Sequence, residues 1–221
     1  MTWDSTTVNM LLQGIWETIF MTFASSFLAY VIGIPLGIIL VVTDADGIKP
    51  IPVLQKVLGL IINLLRSVPF IILLIMMIPV TRAIMGTTLG AKAIIPPLVA
   101  AAAPYIARMV ESSFKEVDPG VIEAAQSMGA TTWQIIWKVL LPEAKPSLLV
   151  GAAISITTVL GYSAMSGFVG GGGLGNIAIN YGYYRYETDM MFVTVVILVV
   201  IVQIIQETWM KLSKVSDKRI R

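Results

Sequence analysis

Chemistry in this chain has to be done by carboxylates, cations, hydroxyls and aromatic rings, because it contains no histidine and no cysteine. Disulfides, thiolate ligation, an axial haem histidine and imidazole catalysis are removed together. The carboxylates are Asp4, Glu17, Asp44, Asp46, Glu111, Glu116, Asp118, Glu123, Glu143, Glu187, Asp189, Glu207 and Asp217, and they do not cluster as metal ligands do. None falls in the middle of an apolar run, where an ion-coupled carrier keeps its relay. No catalytic, cofactor-binding or metal-binding residue is therefore expected. Arg66 is the one charge deep within such a run, roughly 14 Å in from residue 57 at 1.5 Å per residue. A guanidinium at that depth needs a partner or a wet cavity, which points to a solute pathway. The other reading has residues 51–65 partly at the membrane interface, with Arg66 snorkelling to the surface. Ser155, Thr158, Tyr162 and Ser166 step by three, four and four, so they share one helical face. That face either lines a polar conduit or forms a close helix–helix seam of small residues.

A second group of residues suits docking. In 118–142, DPGVIEAAQSMGATTWQIIWKVLLP, Asp118 can cap a helix whose first position is Pro119. Val121, Ala124, Ala125 and Met128 fall on one face, and Gly129 can take the left-handed conformation that closes a helix. Thr131 or Thr132 can cap a second short helix over 132–140, which Pro142 helps to end. The expectation is two short helices at a glycine elbow, displayed in water beside a bilayer.

The elements that must hold these residues are membrane spans. Of 221 residues 57% are hydrophobic and only 13% charged, about half the charge of a soluble domain. The mean hydropathy is +0.86. Five apolar runs are long enough to cross, at about 19–42, 57–80, 89–110, 148–168 and 190–209, with an amphipathic lead-in over 8–17. Each must be helical, because an isolated strand would leave its backbone unpaired in lipid. The fold class is all-α integral membrane, one domain over 1–221. No basic segment of a cleaved signal peptide precedes the first run, and no lipidation motif is present. Prolines interrupt the runs at 35, 69, 79, 96, 97 and 104, consistent with kinked or ordinary membrane helices alike.

Eleven cations lie on one side: Lys49, Lys56, Arg108, Lys115, Lys138, Lys145, Lys211, Lys214, Lys218, Arg219 and Arg221. Only Arg82, Lys92 and Arg185 lie on the other. The positive-inside rule places the N-terminus outside, and the C-terminus and residues 118–142 in the cytoplasm. Arg108, Glu111 and Lys115 read as a solvated continuation of the third span. Gly170 to Gly173 with Gly175 lack the Lys-Ser/Thr of a phosphate loop and fall on the outer side, leading into an aromatic cluster, Tyr181 to Tyr186. That cluster is an interfacial belt or a docking surface for an outer partner.

Glu123-Ala124-Ala125, Gly129 four residues later and Leu141-Pro142 resemble the EAA loop of ATP-binding-cassette (ABC) importer permeases. Further stretches resemble the methionine importers among them: Glu17-Thr18 with Met21 to Phe23, Arg66 to Leu74, Ala103 to Glu111, Gly161 to Met165, and Gly172 to Gly175 with Tyr181 to Tyr183. The resemblance covers nearly all the chain, diverging at 43–55 and at both ends. It implies a multi-pass cell-membrane permease without ATPase motifs of its own, importing methionine of either hand by alternating access. The implied partners are a second copy in a homodimer, cytoplasmic ATPase subunits, an extracytoplasmic solute-binding protein, the bilayer and a small amino acid, with no nucleic acid and no cofactor. Glu123, Ala124, Ala125, Gly129, Leu141 and Pro142 would form the ATPase-coupling surface, with Gly129 setting the elbow. Arg66, Ser155, Thr158, Tyr162 and Ser166 would line the pathway. The competing readings are a permease for another amino acid or small solute, and an ion-coupled secondary carrier.

Overall fold

The computed structural model describes residues 4–217, so Lys218, Arg219 and Arg221 of the charge argument lie outside the described residues. Among the described residues every regular element is helical. Helix α1, Ser5–Val42, starts at Asp4, whose carboxylate accepts from the Thr7 N–H at 2.8 Å. The lead-in and the first span are thus one rod of 38 residues, roughly 57 Å long.

The second run is not one rod. It folds as α2, Pro52–Ser67, and α3, Phe70–Met76, bent by 98° to each other. Pro69 drives its predecessor out of the helical region, and Val68 sits at ψ 123°. A third piece, α4, Ile78–Met85, ends at Gly86. Counting α2 and α3 together, five candidate spans are present among the described residues. The next is α5, Ile95–Lys115, entered through a 3₁₀ turn with Pro96 and Pro97 in its first turn and Pro104 inside.

The short helices α6, Pro119–Ser127, and α7, Thr132–Ile135, follow. The second does not stop near Pro142 as expected. It widens into a π turn, Ile136–Leu140, and continues as the long span α8, Leu141–Met165. Pro142 lies in the first turn of α8, directly after the loosened π turn, so its missing N–H does not end the rod. A glycine-rich turn leads to α9, Gly173–Ile177, and then to α10, Thr188–Ser216.

The helices share two ends. At one, Lys115 pairs with Asp44 at 2.7 Å, the Ile51 N–H donates to the Thr43 carbonyl, and Ser213 donates to the Pro146 carbonyl at 2.9 Å. Residues 118–142 and the end of α10 are on this end. At the other, the Gly90 N–H donates to the Gly170 carbonyl, and the Glu17 carboxylate accepts from the Gly173 N–H at 2.7 Å. Helix α1 begins there. The most extensive packing is α1 on α5, where a Cβ on Gly37 would stand 2.7 Å from both the Ala107 carbonyl and Val110. One core runs through both halves of the molecule: Met21, Leu98, Ile106 and Val110 continue into Phe114, Val117, Ile135 and Leu140.

Candidate functional site

The elbow is built by local hydrogen bonds. Asp118 Oδ1 accepts from the Gly120 N–H at 2.7 Å, which caps α6 above Pro119. Gly129 has φ +77° and turns the chain, with the Ala130 N–H returning to the Ala125 carbonyl. Thr131, not Thr132, is the cap of α7. Its hydroxyl accepts from the Gln134 N–H, and Gln134 Oε1 accepts from the Thr131 N–H at 2.8 Å, a reciprocal capping box.

The elbow has two faces. Ile122, Ala125, Ala130 and Leu141 pack on the common core. Val121, Glu123, Ala124, Met128 and Pro142 are exposed, Met128 to 87%. Of the apolar face expected over 121–128, only Ala125 turns inward, because Ile122 takes the contact with the bundle. Trp133 and Trp137 are exposed beside it and meet edge to face at 5.4 Å. Glu123 and Gln126 line one wall of a cleft of about 460 Å³, opposite Asp44 and Asp46. A bare apolar surface of Val121, Met128, Trp133 and Trp137 around Ala124, rimmed by charge, has the form of a docking surface.

Of Arg108, Glu111 and Lys115, expected as one solvated face, Lys115 is exposed, Arg108 is partly buried and Glu111 is buried. Glu111 is 5% exposed and accepts from Arg108 at 2.6 Å and from Lys115 at 3.0 Å. Arg108 also donates to Asn63 Oδ1 at 3.2 Å and to the Gly59 carbonyl at 2.9 Å. One chain of polar contacts therefore joins α2, α5 and, through Lys115 and Asp44, the end of α1. Asn63, polar within an apolar run, was the one hint of this in the sequence.

A second site lies at the α2–α3 break. Arg66, Tyr105 and Tyr162, from three separate elements, line a cleft of about 200 Å³ with Val68, Phe70 and Ala101. Phe70 and Tyr162 stack at 4.4 Å, with planes 8° apart. Thr158 bonds back to the Ile154 carbonyl and lies within reach of Tyr105. Ser155 and Ser166 are elsewhere. Ser155 is buried against α1, sharing a 2.7 Å hydrogen bond with the Tyr30 hydroxyl, and Ser166 donates to the Ser163 carbonyl. One helical face thus serves two purposes: part of it packs and part meets Arg66. At the far end Arg185 lies 4.3 Å over the Tyr181 ring, within the aromatic cluster.

The candidate site thus comprises spans broken by proline, joined at one end to an elbow with a bare outer face. Residues 33–214 match the family model described as "Binding-protein-dependent transport system inner membrane component", and the chain belongs to that family. It is 47% identical over 217 residues to the "Probable D-methionine transport system permease protein MetI" of Vibrio cholerae serotype O1, covering 98% of this chain and 96% of that one. It is 51% identical over 158 residues to the "D-methionine transport system permease protein MetI" of Escherichia coli K12, covering 72% and 73%. A chain of the inward-facing MetNI methionine ABC transporter superposes with a TM-score of 0.95 at 46% identity, over 97% of this chain and 100% of that one.

Proposed function

We propose that this chain is the permease subunit of an ATP-driven importer that carries methionine across the cell membrane, with ATP hydrolysed by a separate subunit. Identity to D-methionine permeases along essentially the whole chain supports the cargo. The observation that carries the drive is the two-faced elbow. Its outer face is bare and apolar, while its inner face belongs to the core that runs on into α1 and α5. A force applied outside is delivered to the spans without a flexible joint.

The charge asymmetry supports an elbow on the cytoplasmic side, where ATP is available. An ATPase subunit would seat Ala124, Ala125 and Met128, with Glu123 beside a basic group and Leu141 and Pro142 at the margin. Two copies of the chain would form a homodimer with two such elbows and one shared pathway. ATP binding favours the state in which the cassettes close. The elbows convert their differential binding to the two states into rocking of the spans, a population shift. A solute-binding protein would deliver cargo at the opposite end, near the aromatic cluster. Arg66, Thr158 and Tyr162 would face the solute, whereas Ser155 and Ser166 would keep α8 seated on its neighbours as it moves.

Reconstitution of the chain in liposomes with its ATPase and binding protein tests the reading. Uptake of labelled methionine that requires ATP, and exceeds that of other amino acids, is expected. Uptake by the chain alone under an ion gradient would instead make it a secondary carrier.

A further inference from the structure

We infer that the cleft at the α2–α3 break is a solute-contact site: Arg66 takes the carboxylate of an amino acid, and the Phe70–Tyr162 face takes an unbranched thioether side chain. The inference rests on the importer reading and adds where, within the permease, the solute is touched.

Depth is the first argument. Tyr105, which shares the cleft with Arg66, is the central residue of the 21-residue helix α5. It is therefore about 15 Å from either end of that helix. A guanidinium beside it lies about one helical turn inward of Asn63 and the charged network at Arg108, Glu111 and Lys115, set among Val68, Phe70 and Ala101. Arg66 is nevertheless exposed, and it makes no hydrogen bond or ion pair among the described residues. An unpaired cation at this level is stable only where it faces a wet space or an anion that comes and goes.

The surroundings select the anion. A planar guanidinium holds a carboxylate through two parallel hydrogen bonds. Tyr105 and Tyr162 add neutral oxygens able to accept from an ammonium group, and Phe70 stacked on Tyr162 adds an aromatic wall. Thioether sulfur against aromatic rings is favourable, and an unbranched chain fits where a β-branched one crowds. At about 200 Å³ the cleft is smaller than the roughly 300–1,000 Å³ of sites for drug-sized ligands, which suits one amino acid. It is made by a broken helix opposite the middle of an intact one, as solute sites in transporters commonly are.

The chain has no cysteine, so Ala101→Cys puts a single thiol of this subunit in the cleft. In the complete importer in proteoliposomes, alkylation of that thiol by a maleimide is expected to slow several-fold with millimolar L-methionine. L-methioninol, which lacks the carboxylate, is expected to give no protection. Adding Arg66→Ala should abolish the protection and lower uptake about tenfold or more, while Arg66→Lys should keep part of both. Co-purification with the ATPase subunit at unsubstituted yield certifies folding, and Arg66→Lys carries the test if Arg66→Ala fails it. Equal protection by methioninol, no protection at all in an importer that transports, or uptake unchanged in the Arg66 variants each overturns the site. An unsubstituted importer that takes up no methionine overturns the importer reading instead.

Discussion

Glu111 shows how a single carboxylate can organise one end of a membrane bundle. It is buried, yet each oxygen meets a cation, and Arg108 divides its remaining donors between the Asn63 side chain and the Gly59 carbonyl. Glu111→Gln should lower stability by about 1.5–3 kcal/mol, the usual worth of a hydrogen bond to a charged group. The unfolding midpoint in detergent is the measurement. Exchanging the two residues, Arg108→Glu with Glu111→Arg, should not restore it, because position 108 would then present acceptors to the Gly59 carbonyl. Asp44 is a milder case. The hydrogen bond from Lys115 holds its carboxyl below the ordinary value of 3.8. The native pKa is the depressed one, so this stabilisation is present above pH 3.8 and is lost as pH falls through the native value. Lys115 is about half exposed, so the effect stays below about 1 kcal/mol. Asp44→Asn should flatten that acid-side slope in a pH series of unfolding midpoints and leave neutral stability nearly unchanged. The spacing of 108, 111 and 115 was legible, but the burial of Glu111 was not. It depends on Asn63, 45 residues from Arg108, and sequence spacing along one helix carries no information about such a partner.

At the scale of elements, what could be read in advance was what local rules dictate. Asp118 before Pro119, Gly129, and the pair Thr131 and Thr132 specify caps and a turn by local preference, and of the two threonines Thr131 is the cap. Pro142 and Pro69 show the limit. Hydropathy counted 57–80 as one span although Pro69 bends it by 98°, and Pro142 was expected to stop a helix that instead passes through a π turn. Whether a proline breaks, kinks or is absorbed depends on which neighbouring groups can satisfy the freed carbonyls, and those come from the tertiary fold. The elbow yields a graded prediction. Nothing lies within 4 Å of a Cβ built on Gly129, so the demand is on φ alone. Gly129→Asn should be tolerated, Gly129→Ala should cost about 1 kcal/mol, and Gly129→Val more, since β-branched residues resist the left-handed region. Uptake per ATP hydrolysed should fall in the order Asn, Ala, Val while membrane insertion is unchanged. A flat series would mean that the elbow's angle is not what couples the two subunits.

For the whole molecule, the question raised by the proposed homodimer is whether its two elbows act singly or together. Each copy of the chain leaves Arg66 exposed at the α2–α3 break and carries one elbow packed on a core continuous with the spans. A pathway closed by two such halves opens only when both rock, because a rigid half that stays put still occludes the shared space. One defective elbow should therefore cost more than half the transport. Helix α1 begins at the end of the bundle opposite the end of α10, so joining two copies head to tail would require an extra span. Co-expression of two differently tagged copies, one carrying Gly129→Val, and sequential affinity capture give the mixed particle instead. Its methionine uptake in proteoliposomes, normalised to particles, should fall well below half that of the unsubstituted dimer. Uptake at half would mean that each elbow drives its own cycle. Uptake at the full rate would mean that one elbow suffices, and that the second copy contributes only a wall of the pathway.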